Sequence, residues 1–309
     1  MAPPKAQVDA ARRAVLALPG RHLASLVVTG NDRVSWLNGL VTCDLVKWVP
    51  GDARYGLVVS RSGRVLADPI LVADRDRAIA VVEADRAGLL RDHLDHYLVM
   101  EDAEIAVATD SFETWSLHGP ASDLVLAAAR DAGAAGGSLD RTGLGGAIVL
   151  VPTDRAAEVR SVALEAVRRA GGVVGDTEGW ETLRLERGVP RFGVDFDDKT
   201  YPQEASLEKA AVSFDKGCYL GQEVVCMLEM RGHVKRKLVS FVLDGAAPPA
   251  NGAAVADESG AAVGEVTSAV LSPTLGVPVG LAMVKRAHAA SGARVVVGGI
   301  YAKVVDRPA

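Results

Sequence analysis

The sequence predicts an α+β protein in which two similar α/β lobes are followed by a small all-β domain, a closed barrel or sandwich. Three observations carry this. Up to about residue 235, short apolar strands alternate with amphipathic helices. The alternation repeats in outline, giving lobes of about 1–110 and 111–235. From Leu238 onward the texture changes to short β runs cut by Gly and Pro, such as KLVSFVLDG, VPVGLAMV and YAKVVD, which sets a C-terminal barrel over 236–309. A chain of 309 residues, 49% of them hydrophobic, has material for more than one core.

Taken in order, residues 7–18 read as a short helix and His22–Gly30 as an apolar strand ending in a glycine turn. Asn31 or Asp32 then caps a helix with Val34, Leu37 and Leu40 or Val41 on one face. This strand–turn–helix unit lacks GxGxxG spacing, which excludes a dinucleotide site of that kind. Arg61, Ser62 and Gly63 mark a hairpin whose return strand is Val65–Val72. Ala78–Glu83 is a further strand, and Asp85–Tyr97 a helix with Leu89, Leu90, Leu94 and Tyr97 along one side. His93 and His96 are three apart on it, but no carboxylate or cysteine cluster completes a metal site, so solvated surface is the default. In the second cycle, Glu104–Thr109, Thr114–Leu117 and Gly146–Val151 are strands, and Ser122–Ala132 and Asp154–Ala170 are helices. A helix over Gly179–Arg187 then leads into a long segment with few periodic apolar positions, a length that marks a functional loop.

Composition excludes several classes. A net charge of -5 with a pI near 5.7 argues against a general nucleic-acid binder, with the run from Arg231 to Lys237 as a local exception that more often is a solvated strand edge. Three cysteines, Cys43, Cys218 and Cys226, match neither a disulfide framework nor a zinc pattern and suit a reducing cytoplasm. The N-terminal segment has no uninterrupted apolar core with a cleavage signal, and no apolar run is long enough to span a bilayer. A cytoplasmic protein without membrane association is expected.

The stretch DKGCYLGQEVVCMLEMRGHVKRK, 215–237, is least like scaffold. A cysteine reacts as the thiolate, favoured beside a cation or a helix N-terminus. Lys216 is a neighbouring cation, and a helix over Gln222–Met230 opened by Gly221 would put Cys218 just before such an N-terminus, with Glu223 in its first turn. The alternative is a small buried residue in a turn.

KGCYLGQE at 216–223, followed by RGHVKRKL at 231–238, closely resembles the signature of the YgfZ-type folate-binding proteins, relatives of the glycine cleavage T-protein that support iron–sulfur enzymes. TGNDRVSWLNGLVTCDL, WETLRLERGVPRFG and GEVTSAVLSPTLGVPVGLAMV extend the resemblance over nearly the whole chain. It implies the T-protein-like folate-binding fold and tetrahydrofolate, or a one-carbon derivative, as ligand. It also implies Cys218 as the functional thiol, framed by Lys216, Gln222 and Glu223. On the cofactor side Trp180 would offer a face for a flat pterin, Arg184 a cation for the folate tail and Glu186 a carboxylate for a pterin amide edge, with Tyr219 and Arg231 nearby.

The sequence departs from the T-protein pattern in two places. In GRVLADPILV, Ala67 stands where the resemblance leads one to expect the first of two aspartates, leaving Asp68, and the GYTGE segment is replaced by TGLGGAIVLVP. Within the YgfZ-type signature, Met227 stands where the resemblance leads one to expect an arginine four residues after the glutamate, leaving Arg231, Lys235 and Arg236 as cations. The expectation is therefore a folate-binding accessory protein acting through Cys218 with iron–sulfur client or assembly proteins, and not a T-protein-type aminomethyltransferase. The alternative is a folate-dependent one-carbon transferase or demethylase that uses Asp68.

Overall fold

In the computed structural model, which describes residues 2–230 and 234–309, two five-stranded sheets carry helices on their outer faces and a closed six-stranded barrel completes the chain. The first sheet runs, edge to edge, Ala53–Tyr55, Ile70–Asp74, Arg77–Glu83, Leu23–Thr29 and Glu104–Val107. Its central strands are buried on both faces, and on the outer one Leu26, Val28 and Ala80 meet Trp36, Leu37, Leu90 and Leu94 from the helices Arg33–Asn38 and Ala87–Asp95. Asp32 precedes the first of these helices, but its carboxylate accepts from the Asp102 N–H at 2.8 Å and caps no helical N–H.

The second sheet runs Ala135–Ser138, Gly146–Pro152, Phe112–His118, Leu16–Pro19 and Val173–Val174, under the helices Ser122–Asp131 and Ala156–Arg169. Here the structure corrects the predicted helix over 7–18. The helix is Pro4–Arg13, and Leu16–Pro19 is a strand, antiparallel to Phe112–His118 and parallel to Val173–Val174. The run Val8, Ala11, Val15, Leu18 satisfies a helical period, yet Leu16 and Ala17 are also fully buried, which a one-sided helix would not allow. The second lobe is thus completed by the N-terminal segment.

The sheets meet through Val72, Ile79, Val81, Phe112, Ile148 and Leu150. Their edges join by a bridge between Asp52 and Ser138, where the neighbouring Gly137 leaves no room for a Cβ against the Ala53 N atom. The predicted return strand Val65–Val72 is split into Val65–Ala67 and Ile70–Asp74, since Pro69 has no N–H for a ladder. That break takes Asp68 out of regular pairing.

The helix Thr177–Glu186 lies at the junction of both lobes and the barrel. Asp176 caps it, accepting from the Gly179 N–H at 2.9 Å. Leu185 packs with Leu238, Val279 and Leu281 of the barrel. The barrel closes in the order Arg236–Leu243, Pro278–Lys285, Ala262–Leu271, Ala254–Ala256, Arg294–Val297 and Ile300–Val305, around Phe241, Val255, Val266 and Val304. Of the two all-β forms the sequence allows, it is the barrel. Among the described residues no helix is long and apolar enough to cross a membrane.

Candidate functional site

A cavity of about 730 Å³ opens between the two sheets and the N-terminal turn of Thr177–Glu186. Its walls bring together residues distant in sequence: Asp68 from the strand break, His118 from the end of its strand, Arg141 from the connector before Gly146, and Trp180 from the central helix. This size suits a drug-sized organic ligand.

Asp68 is the chemically distinctive group. Its Oδ2 accepts from the hydroxyl of buried Tyr55 at 3.0 Å, and the Arg141 guanidinium lies over the Tyr55 ring at 4.1 Å. Burial pushes the Asp68 carboxyl up to about 6, against the lowering pull of Arg141 and of the Tyr55 hydrogen bond. A carboxylate so placed can take up or release a proton near pH 6. Trp180 stacks on His118 at 4.7 Å with an 18° interplanar angle. His118 is buried, and neither ring nitrogen has a hydrogen-bond partner among the described residues. Burial, helped by the Arg141 charge, holds it down to about 3, so the imidazole is neutral. Trp180 therefore lines the cavity, but one of its faces already belongs to His118.

The other residues drawn from the resemblance lie elsewhere. Arg184 and Glu186 do not line the cavity. Arg184 is 1% exposed, pairs with Asp195 at 2.8 Å and Glu181 at 2.6 Å, and donates to Ser268 of the barrel. Glu186 is fully buried and accepts from Thr274, Ser272 and, at 3.0 Å, Arg12. Both fasten the helix to the barrel and to the N-terminal helix, because their charges, once buried, need several partners.

Lys216 does not face Cys218. Its ammonium is buried and donates to the carbonyls of Asn38, Val41 and Cys43 at 2.7, 2.8 and 2.7 Å, and burial pulls its pKa down to about 8. It pins the loop after Arg33–Asn38 to the motif. Cys218 itself is exposed, away from the cavity lining. Tyr219 sits in a core with Leu57, Val59 and Phe192. Gln222 accepts from the Tyr219 N–H at 3.4 Å, and Glu223 is exposed in the first turn of Gln222–Met230. Gly221, at φ +78°, lies against the Ser60 carbonyl and seats that helix on the hairpin. Arg231 lies outside the described residues. His93 and His96 take part in no group of three metal-ligating side chains among the described residues.

The fold has relatives. The N-terminal domain model of the glycine cleavage T-protein matches residues 3–136, and the T-protein C-terminal barrel domain matches 236–309. The aminomethyltransferase of Chlorobium chlorochromatii is 30% identical over 311 residues, covering 92% of this chain and 83% of that protein. The chain belongs to the glycine cleavage T-protein family. The aminomethyltransferase of Streptomyces coelicolor is 29% identical, covering 88% of this chain and 78% of that protein. The crystal structure of the T-protein from Bartonella henselae superposes with a TM-score of 0.82 at 22% identity, covering 99% of this chain and 89% of that one. The T-protein fold read from the sequence is therefore the fold of this chain, while the relatives named here are aminomethyltransferases and do not single out the YgfZ-type branch.

Tyr55, His118 and Arg141 went unmarked in the sequence. The one local signal was at Asp68, a carboxylate before proline between two apolar strands, where the ladder must break.

Proposed function

We propose that this protein is a folate-dependent one-carbon transferase of the aminomethyltransferase type, in which Asp68 handles the proton on the nitrogen that gains or loses the one-carbon unit. The observation that carries it is the place of Asp68 in the cavity wall, bonded to Tyr55, with a carboxyl raised to about 6. Ala67, whose identity argued against this chemistry, is fully buried in the strand, so the residue available to a ligand is the neighbouring aspartate. Family membership supports the same reading. Tetrahydrofolate, or a one-carbon derivative, would occupy the cavity with its flat ring near Trp180 and His118.

The test is a titration with tetrahydrofolate, expected to bind with a Kd on the order of micromolar, followed by transfer assays with Asp68→Asn. The variant should bind the folate within a few-fold of wild type and, with an aminomethyl donor whose carbon passes to tetrahydrofolate as a methylene group, release ammonia at least ~100-fold more slowly. Undiminished transfer by Asp68→Asn would remove the role given to the carboxylate.

A second reading keeps the accessory role toward iron–sulfur enzymes. The observation favouring it is that Cys218 is exposed, where a partner protein can reach it. One thiol cannot hold a cluster, so partner ligands would be needed. Loss of iron–sulfur enzyme rescue in cells carrying Cys218→Ala, with folate binding intact, is the expected result on this reading.

A further inference from the structure

Behind the partition formed by Tyr55 and Arg141 lies a second chamber of about 470 Å³. It shares Leu139, Arg141 and Pro190 with the large cavity, so the two spaces adjoin. Four guanidinium groups, Arg54, Arg141, Arg187 and Arg307, border it against the carboxylates of Asp44, Asp140 and Asp306.

The partners of these groups decide its character. Asp140 is occupied by the N–H groups of Thr142, Gly143 and Gly145 at 2.9, 2.6 and 3.0 Å, and Asp44 accepts from Val46. Arg187 spends Nε on the Thr142 carbonyl at 2.7 Å and Nη1 on the Ala309 oxygen, and Arg54 turns to Asp52 at 3.2 Å. Arg141 and Arg307 make no ion pair or hydrogen bond among the described residues. The Arg307 guanidinium sits in the space that a Cβ at Gly143 would take. Burial and the Arg307 and Arg12 charges hold the Arg187 pKa below its usual value, as expected where positive charge is in excess. A further wall residue, Ser206, has a left-handed backbone at φ +58° while its hydroxyl donates to the Leu238 carbonyl at 2.7 Å. Strain in a non-glycine residue gathers where a surface is built for contact.

We propose that this chamber binds the carboxylate of a small amino-acid-type one-carbon donor, with Arg307 and Arg141 as its cations and its amine directed past Tyr55 toward Asp68. Guanidinium groups suit a carboxylate because their parallel N–H bonds match its two oxygens. The Tyr55 hydroxyl, 3.0 Å from Asp68, links the wall of this chamber to the carboxylate that lines the large cavity. The assignment rests on the one-carbon transferase reading, and it narrows the donor to a free carboxylate-bearing amine.

The experiment uses the full chain and three probes by calorimetry: N-methylglycine, which joins a carboxylate to a methylated amine; dimethylamine, which lacks the carboxylate; and tetrahydrofolate as mono- and pentaglutamate. N-methylglycine is expected to bind saturably and at least ~10-fold more weakly to Arg307→Gln. Dimethylamine is expected not to bind, and the affinity for tetrahydrofolate monoglutamate should be unchanged in the variant. Arg54→Gln provides a second variant, expected to weaken N-methylglycine less, since Arg54 is paired to Asp52. If only the pentaglutamate loses affinity in Arg307→Gln and N-methylglycine does not bind, the chamber serves a folate tail and the donor assignment is overturned. It is also overturned if no carboxylate probe responds to either variant. If N-methylglycine binds as expected while tetrahydrofolate does not bind the wild type, the chamber assignment stands and the folate reading fails.

Discussion

The Tyr55 hydroxyl donates to Asp68 Oδ2 at 3.0 Å across the wall that separates two adjoining cavities. The bond favours the charged carboxylate, opposing the burial that raises its pKa. Tyr55→Phe should therefore move Asp68 further up. Transfer activity in the wild type is expected to rise with pH through about 6. In Tyr55→Phe that midpoint should shift upward by roughly one pH unit, the size of a hydrogen bond to a charged group. A pH–rate profile of kcat checks this, and an unchanged midpoint would separate Tyr55 from the titrating group.

The same carboxylate is a liability to the fold. Its native pKa, about 6, lies above the ordinary 3.8, so the native state holds the proton more tightly. Its contribution is present in full below pH 3.8 and lost as pH rises through about 6. Asp68→Asn should raise stability at pH 7.5 by up to about 2 kcal/mol and change little at pH 4. Denaturant melts at the two pH values read this directly.

His118 works in the opposite sense. Its native pKa of about 3 lies below the ordinary 6.5, so its contribution is present above pH 6.5 and is lost as pH falls toward 3. At pH 5 this amounts to about 2 kcal/mol. His118→Phe, which keeps a ring against Trp180, should flatten the acid limb of the thermal stability profile between pH 6.5 and 4.5.

Arg184 should behave as a fastener. Arg184→Met leaves Asp195 buried at 3% exposure without its guanidinium, a change expected to cost roughly 3 kcal/mol or more. The fraction that remains folded should bind tetrahydrofolate with unaltered Kd. A selective loss of folate affinity at full stability would return Arg184 to the ligand.

The cysteines should separate by access. Cys218, exposed, should react with a thiol reagent in the native protein, and Cys43, buried with a thiol pushed up to about 11, only on unfolding. Cys218→Ser is expected to leave folate binding and transfer unchanged, since the residue does not line the cavity. Mass spectrometry of labelled native protein assigns the sites.

The elements that local pattern specifies were legible in the sequence. The β texture after Leu238 gave an all-β C-terminal domain, and the apolar run in His22–Gly30 gave the strand Leu23–Thr29. Lys216 shows the limit. It adjoins Gly217 and Cys218 in sequence, yet its ammonium is bonded to carbonyls 173 to 178 residues away. No local period encodes such a partner. Arg184 and Glu186 fit the chemistry of a folate tail and a pterin edge, but helical phase alone does not say whether a charge faces a ligand or a neighbouring domain. Asp68 could be named beforehand, whereas Tyr55 becomes its neighbour only through the pairing of Ala53–Tyr55 with Ile70–Asp74, and Arg141 only once the second lobe is in place.

The strand Leu16–Pro19 bears on biosynthesis. The first sheet can be paired in full once residue 107 has left the ribosome, because all its strands lie between 23 and 107. Leu16 by contrast pairs with His118 and Val173, so one of the earliest segments translated waits for some of the latest in the two lobes. A gene cut anywhere between these lobes would strand that segment with the wrong half. The two lobes are alike in architecture, yet only the first is written as one uninterrupted stretch of the message.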